Sequence, residues 1–357
     1  MKKAGIALVV VAIVAAAVYV LRATIAERLM SAAAGHMIAA DPIAQLPDGL
    51  TVALCGAGSP LPDPKRSGPC VAVIAGRHLY EVDAGDGAGR VMTRLGYAPG
   101  RLEALFLTHF HSDHIDGLGE VTVLRWAGGV HTQPLPIIGP TGVEQVVDGF
   151  NAAYKLDSGY RFAHHGPTVV PPGGAGGVAR PFEAPAAGVG QVVWSADGLT
   201  VTAFAVHHDP VLPAVGYKFE YGGRSVVISG DTAKSENLEH FAENTDLLVH
   251  EGLSPELVGI LGSAAAAAGR ANVAKIMNDI LSYHTAPVEV AQIAAAANVR
   301  HLLFYHVIPP LIAPGSEAAF LKGVDAIYHG PVTLGRDGTQ ITLPKDSTKI
   351  VVDQLSL

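Results

Sequence analysis

Thr108-His109-Phe110-His111-Ser112-Asp113-His114 places three histidines and an aspartate within six residues, in a chain of 357 residues that holds 16 histidines altogether. The apolar run before it, Leu102 to Leu107, reads as a buried strand, and Asp116-Gly117 after it reads as a turn or helix start. His109 and His111 stand two apart at a strand end and so leave the same side of the chain. Asp113 and His114 follow one step on, where they can face a second ion beside the first. Imidazole and carboxylate with no thiolate nearby suit a divalent metal such as zinc, manganese or iron. A polar loop that is merely rich in histidine is the competing reading.

Further donors close later apolar runs. Val206-His207-His208-Asp209 ends Leu199 to Ala205, Ser229-Gly230-Asp231-Thr232 ends Ser225 to Ile228, and Tyr305-His306 ends His301 to Phe304. Donors delivered from successive strand ends can meet at one sheet edge across long stretches of sequence. Asp231 has two oxygens and can bridge two ions, which an imidazole cannot. Two ions roughly 3.5–4 Å apart can clamp the attacking and leaving oxygens of a displacement and bring the pKa of water towards about 7. The expected chemistry is that of a metallohydrolase.

The order HxHxDH, then His, then Asp in a Ser-Gly-Asp-Thr turn, then His, resembles the metallo-β-lactamase fold superfamily. Finer marks resemble its ribonuclease Z and arylsulfatase-like branch: Leu54-Cys55-Gly56-Ala57-Gly58-Ser59-Pro60, Val82-Asp83-Ala84-Gly85-Asp86-Gly87, Gly139-Pro140-Thr141-Gly142, His250-Glu251 and His284-Thr285-Ala286. The match runs from about residue 50 to 345. Carried over by position, the resemblance implies a first ion on His109, His111 and His208. A second would sit on Asp113, His114 and His306, with Asp231 shared. His207 competes with His208, which is preferred because Asp209-Pro210-Val211 follows it. Two divalent ions are implied, zinc foremost, with Mn2+ or Fe2+ also compatible. Asp113 doubles as the base that orients a metal-bridging hydroxide. His284, supported by Glu251, protonates the leaving oxygen, a role that a carboxylate holding an imidazole protonated would suit. A helix-capping histidine ahead of Pro287 is the plainer reading of His284.

The expected function is hydrolysis of a small phosphodiester or sulfate ester. The alternatives are a transfer-RNA 3′-processing endoribonuclease of the ribonuclease Z kind, or a non-catalytic metal-binding module. Cys55 and Cys70 lie far from the metal motifs, and Asp231 stands where many true β-lactamases carry another ligand, so a β-lactam ring opener is not expected. Thiolesterases and lactonases share the bridging aspartate and stay open. Lys and Arg number 24 against 32 Asp and Glu, a net charge of −8, with charged residues only 16% of the chain. That balance disfavours a nucleic-acid partner, whose phosphates need clustered cations. The interval from about 155 to 190 reads as a glycine-rich rim with little positive charge, His164-His165 included.

Ala4 to Leu21 is eighteen residues without a charge, preceded by Lys2-Lys3. It is long enough to span a bilayer or to act as a signal-peptide core. The lysines favour an inside N-terminus, and an uncleaved anchor holding the catalytic part outside the cytoplasm is expected. Residues 1–30 are assigned to that segment, 31–48 to a linker and 49–357 to the hydrolase domain. Cys55 and Cys70 flank a proline- and glycine-rich loop and could pair or stay as free thiols. Alternating strands and helices with hairpins at both ends predict an αβ/βα four-layer sandwich. A homodimer is the one further partner inherited from the resemblance.

Overall fold

The computed structural model describes residues 2–39 and 41–357, and the chain divides into two compact units at the Pro42–Ile43 junction. The first is one helix, Lys2–Ala39, of 38 residues. Its 31-residue stretch Gly5–Gly35 contains an 18-residue window of mean hydropathy 2.6 and is long and apolar enough to cross a membrane. Ile6, Leu8, Val11, Ile13 and Val20 along it are all more than half exposed. The expected linker of 31–48 is not an extended connector. Residues 31–39 continue the helix, because the alanine-rich Ser31–Gly35 stretch holds no proline, and Ile43 is buried in the second unit with only 1% of its surface exposed.

The second unit is built on two sheets. Strands β1 (Gly49–Gly56), β2 (Cys70–Ala75), β3 (His78–Val82), β4 (Leu102–Phe106), β5 (Leu135–Pro140) and β6 (Gly177–Phe182) come first. Then follow β7 (Gln191–Ala196), β8 (Leu199–Ala205), β9 (Val215–Tyr221), β10 (Arg224–Ile228), β11 (Leu247–Leu253), β12 (Leu302–Ile308) and β13 (Val332–Leu334), with β14 (Thr339–Pro344) and β15 (Val351–Gln354) last. Among the described residues one sheet has the order β15-β14-β1-β2-β3-β4-β5-β6 and the other β13-β12-β11-β10-β9-β8-β7. The last hairpin therefore returns to pair β14 with β1, Leu343 opposite Leu50.

The pleat sorts side chains between layers. Val52, Leu54, Val73, Tyr80 and Phe106 point into the core between the sheets, where they meet Val201, Tyr217, Phe219, Val249 and Leu303 from the other sheet. Their strand neighbours Ala53, Ile74, Leu79 and Leu105 face the opposite way and pack with Met92, Leu118, Val121, Val143 and Val147 from outer helices. Phe204, Val227, Leu248 and Phe304 do the same on the far side, against Leu238, Val290, Ile293 and Phe320. Helix, sheet, sheet, helix is the four-layer αβ/βα sandwich that the sequence predicts.

Two local readings change. Helix Val143–His165 runs through the first part of the expected glycine-rich rim, carrying His164 and His165 in its last turn and stopping at Gly166, whose φ is 76°. An Asp157–Arg161 ion pair one turn apart supports that extension. Where the alanine-rich run predicts one helix over 264–281, there is instead a hairpin of helices, Pro255–Ala267 and Ala271–Asp279, broken where Gly269 adopts φ 73°. Ser254 caps its first arm by accepting from the Leu257 amide, with Pro255 at the first helical position.

Cys55 and Cys70 are bonded as a disulfide that joins β1 to β2 at the mouth of the intervening loop. Burial, with Asp83 nearby, pushes the fully buried Glu81 carboxyl well above its ordinary range, and it lies 3.3 Å from Cys70 Sγ. The bridge closes a loop with a sequence separation of 15. Replacing both cysteines by alanine should lower the unfolding free energy by about 3 kcal/mol, read as a lower urea midpoint.

Candidate metal centre

The site is assembled at one end of the two sheets, where chain segments leave the ends of β4, β8 and β10 and where β12 passes. His109 follows β4 directly and is fully buried. Its Nε2 lies 3.0 Å from Nδ1 of His111, which in turn lies 3.3 Å from Nε2 of His208. Asp231 Oδ2 stands 3.8 Å from His109 Nε2 and 3.9 Å from His208 Nε2. Three imidazole nitrogens and a carboxylate oxygen thus converge on one point, with all four donor atoms within 4.8 Å of one another. Burial lowers the pKa of all three imidazoles, most strongly for His109. That favours the neutral form, which can ligate.

A second cluster adjoins the first. His306 Nε2 is 3.3 Å from Asp113 Oδ2 and 3.3 Å from Asp231 Oδ2. His114 Nε2 is 3.3 Å from Asp231 Oδ1 and 3.7 Å from Asp113 Oδ2. Asp231 therefore presents one oxygen to each of these histidines and stands between the two clusters. His114 Nε2 and Asp231 Oδ1 are buried and neither has a hydrogen-bond partner. Unpaired buried polar atoms are costly, and a cation between them would satisfy both. The donor set, all imidazole and carboxylate, fits divalent ions of the zinc, manganese or iron kind.

Each histidine is aimed by its other nitrogen. His208 Nδ1 donates to the Tyr283 carbonyl at 2.9 Å, and His114 Nδ1 donates to Asp83 Oδ2 at 2.8 Å. Both bonds leave Nε2 with a free lone pair towards the centre. Asp83 also accepts from the Thr108 amide and hydroxyl, each at 2.8 Å. His207 is exposed and points away, with its amide donating to Thr232 Oγ1; His208 is the one in the cluster. His306 holds φ 43° while almost wholly buried, an unusual backbone for a non-glycine residue.

His284 borders the second cluster, within reach of Asp231 and His306. Its Nδ1 lies 3.1 Å from Oε1 of the fully buried Glu251, which also accepts from the Thr285 amide at 2.9 Å. Burial opposes protonation of His284 most strongly, but the Glu251 charge and hydrogen bond together with the Asp231 charge outweigh it and raise the pKa. A cavity of about 310 Å³ opens over the centre, lined by His111, Asp113, Asp231, His284 and His306 on one side. All nine side chains expected from the sequence as site residues lie in this one region; Asp83 was quoted there only as part of a motif.

The family profile described as the Beta-lactamase superfamily domain matches residues 82–307. A ribonuclease Z of Mycobacterium sp. (strain KMS) is 36% identical over 289 residues, covering 81% of this chain and 94% of that protein. The chain belongs to the beta-lactamase superfamily, and within it to the ribonuclease Z family. Two solved structures share the superfamily fold at 20% identity. They are the metallo-beta-lactamase fold protein YhfI from Bacillus subtilis, with TM-score 0.59 over 82% of this chain and 99% of that one, and the short form of human tRNase Z, with TM-score 0.58 over the same shares.

Asp83 bears on the superfamily site without touching its centre. Asp83→Asn keeps the shape but removes the charge that orients and polarises His114. Zinc affinity, measured by competition with a chromogenic chelator, should fall by about 10–100-fold while His207→Ala leaves it unchanged.

Proposed function

We propose that the protein is a metal-dependent phosphodiester hydrolase anchored to a membrane by its N-terminal helix. The observation that carries the reading is the pair of adjoining donor clusters sharing Asp231 beneath one cavity, with the His284–Glu251 pair on the cavity wall. His109, His111 and His208 would hold one ion and Asp113, His114 and His306 the other, with Asp231 between. Bound ions there supply Lewis acidity that activates water and offsets charge on the ester. Asp113, on the cavity wall, accepts a proton from the attacking water and fixes its direction. His284 is held by Glu251 through Nδ1, so Nε2 is the nitrogen left to protonate the departing oxygen.

RNA is the ester class put first, because the relative of 36% identity is named a ribonuclease Z. Sulfate esters, expected on equal terms from the sequence, have no counterpart among the relatives described above. A small phosphodiester is the second reading, favoured by a cavity lining that contains no lysine or arginine.

His109→Ala and Asp231→Ala should abolish turnover of bis(p-nitrophenyl) phosphate. His284→Ala should slow alkyl-leaving diesters by about 10²–10⁴-fold and nitrophenyl diesters far less, since nitrophenolate leaves without a proton. Equal losses on both substrates would remove the acid role from His284. Cleavage of a precursor transfer RNA at physiological salt would settle the first ester class over the second.

The helix Lys2–Ala39 supports the anchor, and the disulfide supports an oxidising compartment outside the cytoplasm. Carbonate washing should leave the full chain in the membrane fraction, and protease added to spheroplasts should reach residues beyond 43. Release by carbonate, or full protection from protease, would contradict this placement.

A further inference from the structure

The cavity over the metal centre has two unlike walls. Besides the metal-facing side chains it is lined by Leu61, Ile276, Met277, Ile280, Ile308 and Tyr283. Met277 and Ile308 belong to a small separate apolar cluster with Leu253 and Val258, against which Leu61 and Ile280 pack while still partly open. Ile276 leaves 52% of its surface exposed. The hairpin of helices Pro255–Ala267 and Ala271–Asp279 supplies Ile276 and Met277, so the apolar wall is delivered by a rigid element rather than by a loose loop.

We infer that this wall is a substrate subsite that takes an uncharged alkyl group borne by the phosphoryl centre. The inference rests on the second, small-phosphodiester reading of the metal centre and adds what that ester carries. A phosphoryl group at Asp113, Asp231 and His306 leaves its substituent facing Leu61, Ile276 and Met277, because those residues close the same cavity. No lysine or arginine lines the cavity to engage a second phosphate, whereas each buried methylene would strengthen binding by about fourfold. The cavity therefore selects for a hydrocarbon beside the reacting ester and against a charged one.

The test is calorimetric binding of methyl-, ethyl-, propyl- and butylphosphonate to the zinc-loaded full chain in lipid nanodiscs, with empty nanodiscs as the blank. Affinity should rise at least about tenfold from methyl to butyl. Ile276→Asp and Leu61→Asp should flatten the series, each without loss of bound zinc. Ile260→Asp, on the same hairpin at a position 62% exposed and outside the cavity lining, should leave it intact. A flat series in the unaltered protein overturns the subsite, as does a rising series that survives both aspartate substitutions. A rising series lost in both variants, in a protein that hydrolyses no phosphodiester, upholds the subsite and removes the catalytic reading instead.

Discussion

Asp83 sits just past β3 with φ 57°, and that single left-handed residue turns its carboxylate back across the end of β4. One oxygen accepts from the Thr108 amide, and the other from the Thr108 hydroxyl and from His114 Nδ1. The segment that carries four of the metal donors is thereby fastened at its first residue and again at its last donor. Without this clamp the loop would need to order His109, His111, Asp113 and His114 against their mutual crowding alone. The sandwich supplies the rest, since the ends of β8 and β10 and the body of β12 bring His208, Asp231 and His306 to the same place. Neither sheet holds a complete centre.

The clamp also explains why the site tolerates unsatisfied groups. Ring nitrogens 3.0 and 3.3 Å apart cannot all carry protons, and His114 Nε2 and Asp231 Oδ1 lack partners in a buried setting. Such an arrangement is costly in an otherwise close-packed interior. The surrounding bonds hold it open: Tyr283 to His208, Asp83 to His114, Glu251 to His284. Stability is given up locally so that donors are in place before a ligand arrives, and the extensive core between the sheets offsets it.

Much of this was legible in the sequence because metal chemistry uses few residue types and strand ends are marked by apolar runs. The donor order and the sandwich followed from that, and the division of the donors into two clusters from the resemblance. His208 over His207 was legible only through the Asp209-Pro210-Val211 context, since adjacent residues on a chain end differ by facing, which composition does not encode. The grip of Asp83 on His114 was not legible, because it joins residues 31 apart through a backbone conformation that a sequence does not display. Its one trace was the Asp-Ala-Gly turn after an apolar strand. The helix Val143–His165 was read short because its second half is exposed on most sides and shows little apolar periodicity. The hairpin at 255–279 was merged because alanine runs propagate a helical reading straight through Gly269.

Charge is the property that most constrains what the centre can act on. Many of the basic side chains are committed internally. Arg66 lies against Asp63 and Glu317, Arg224 and Arg300 share Asp246, and Arg90, Arg161, Lys275 and Lys345 each pair with a carboxylate. Each such pair cancels much of its field within a few ångströms, so these side chains do little to offset the net charge of −8. A long polyanion gains affinity by releasing counterions to such stripes, and the gain grows with each phosphate neutralised. A short ester gains nothing from that term and is held by what touches it. The cavity lining offers a polyanion no lysine or arginine, so RNA, the ester class put first, would have to be gripped by cations outside the cavity.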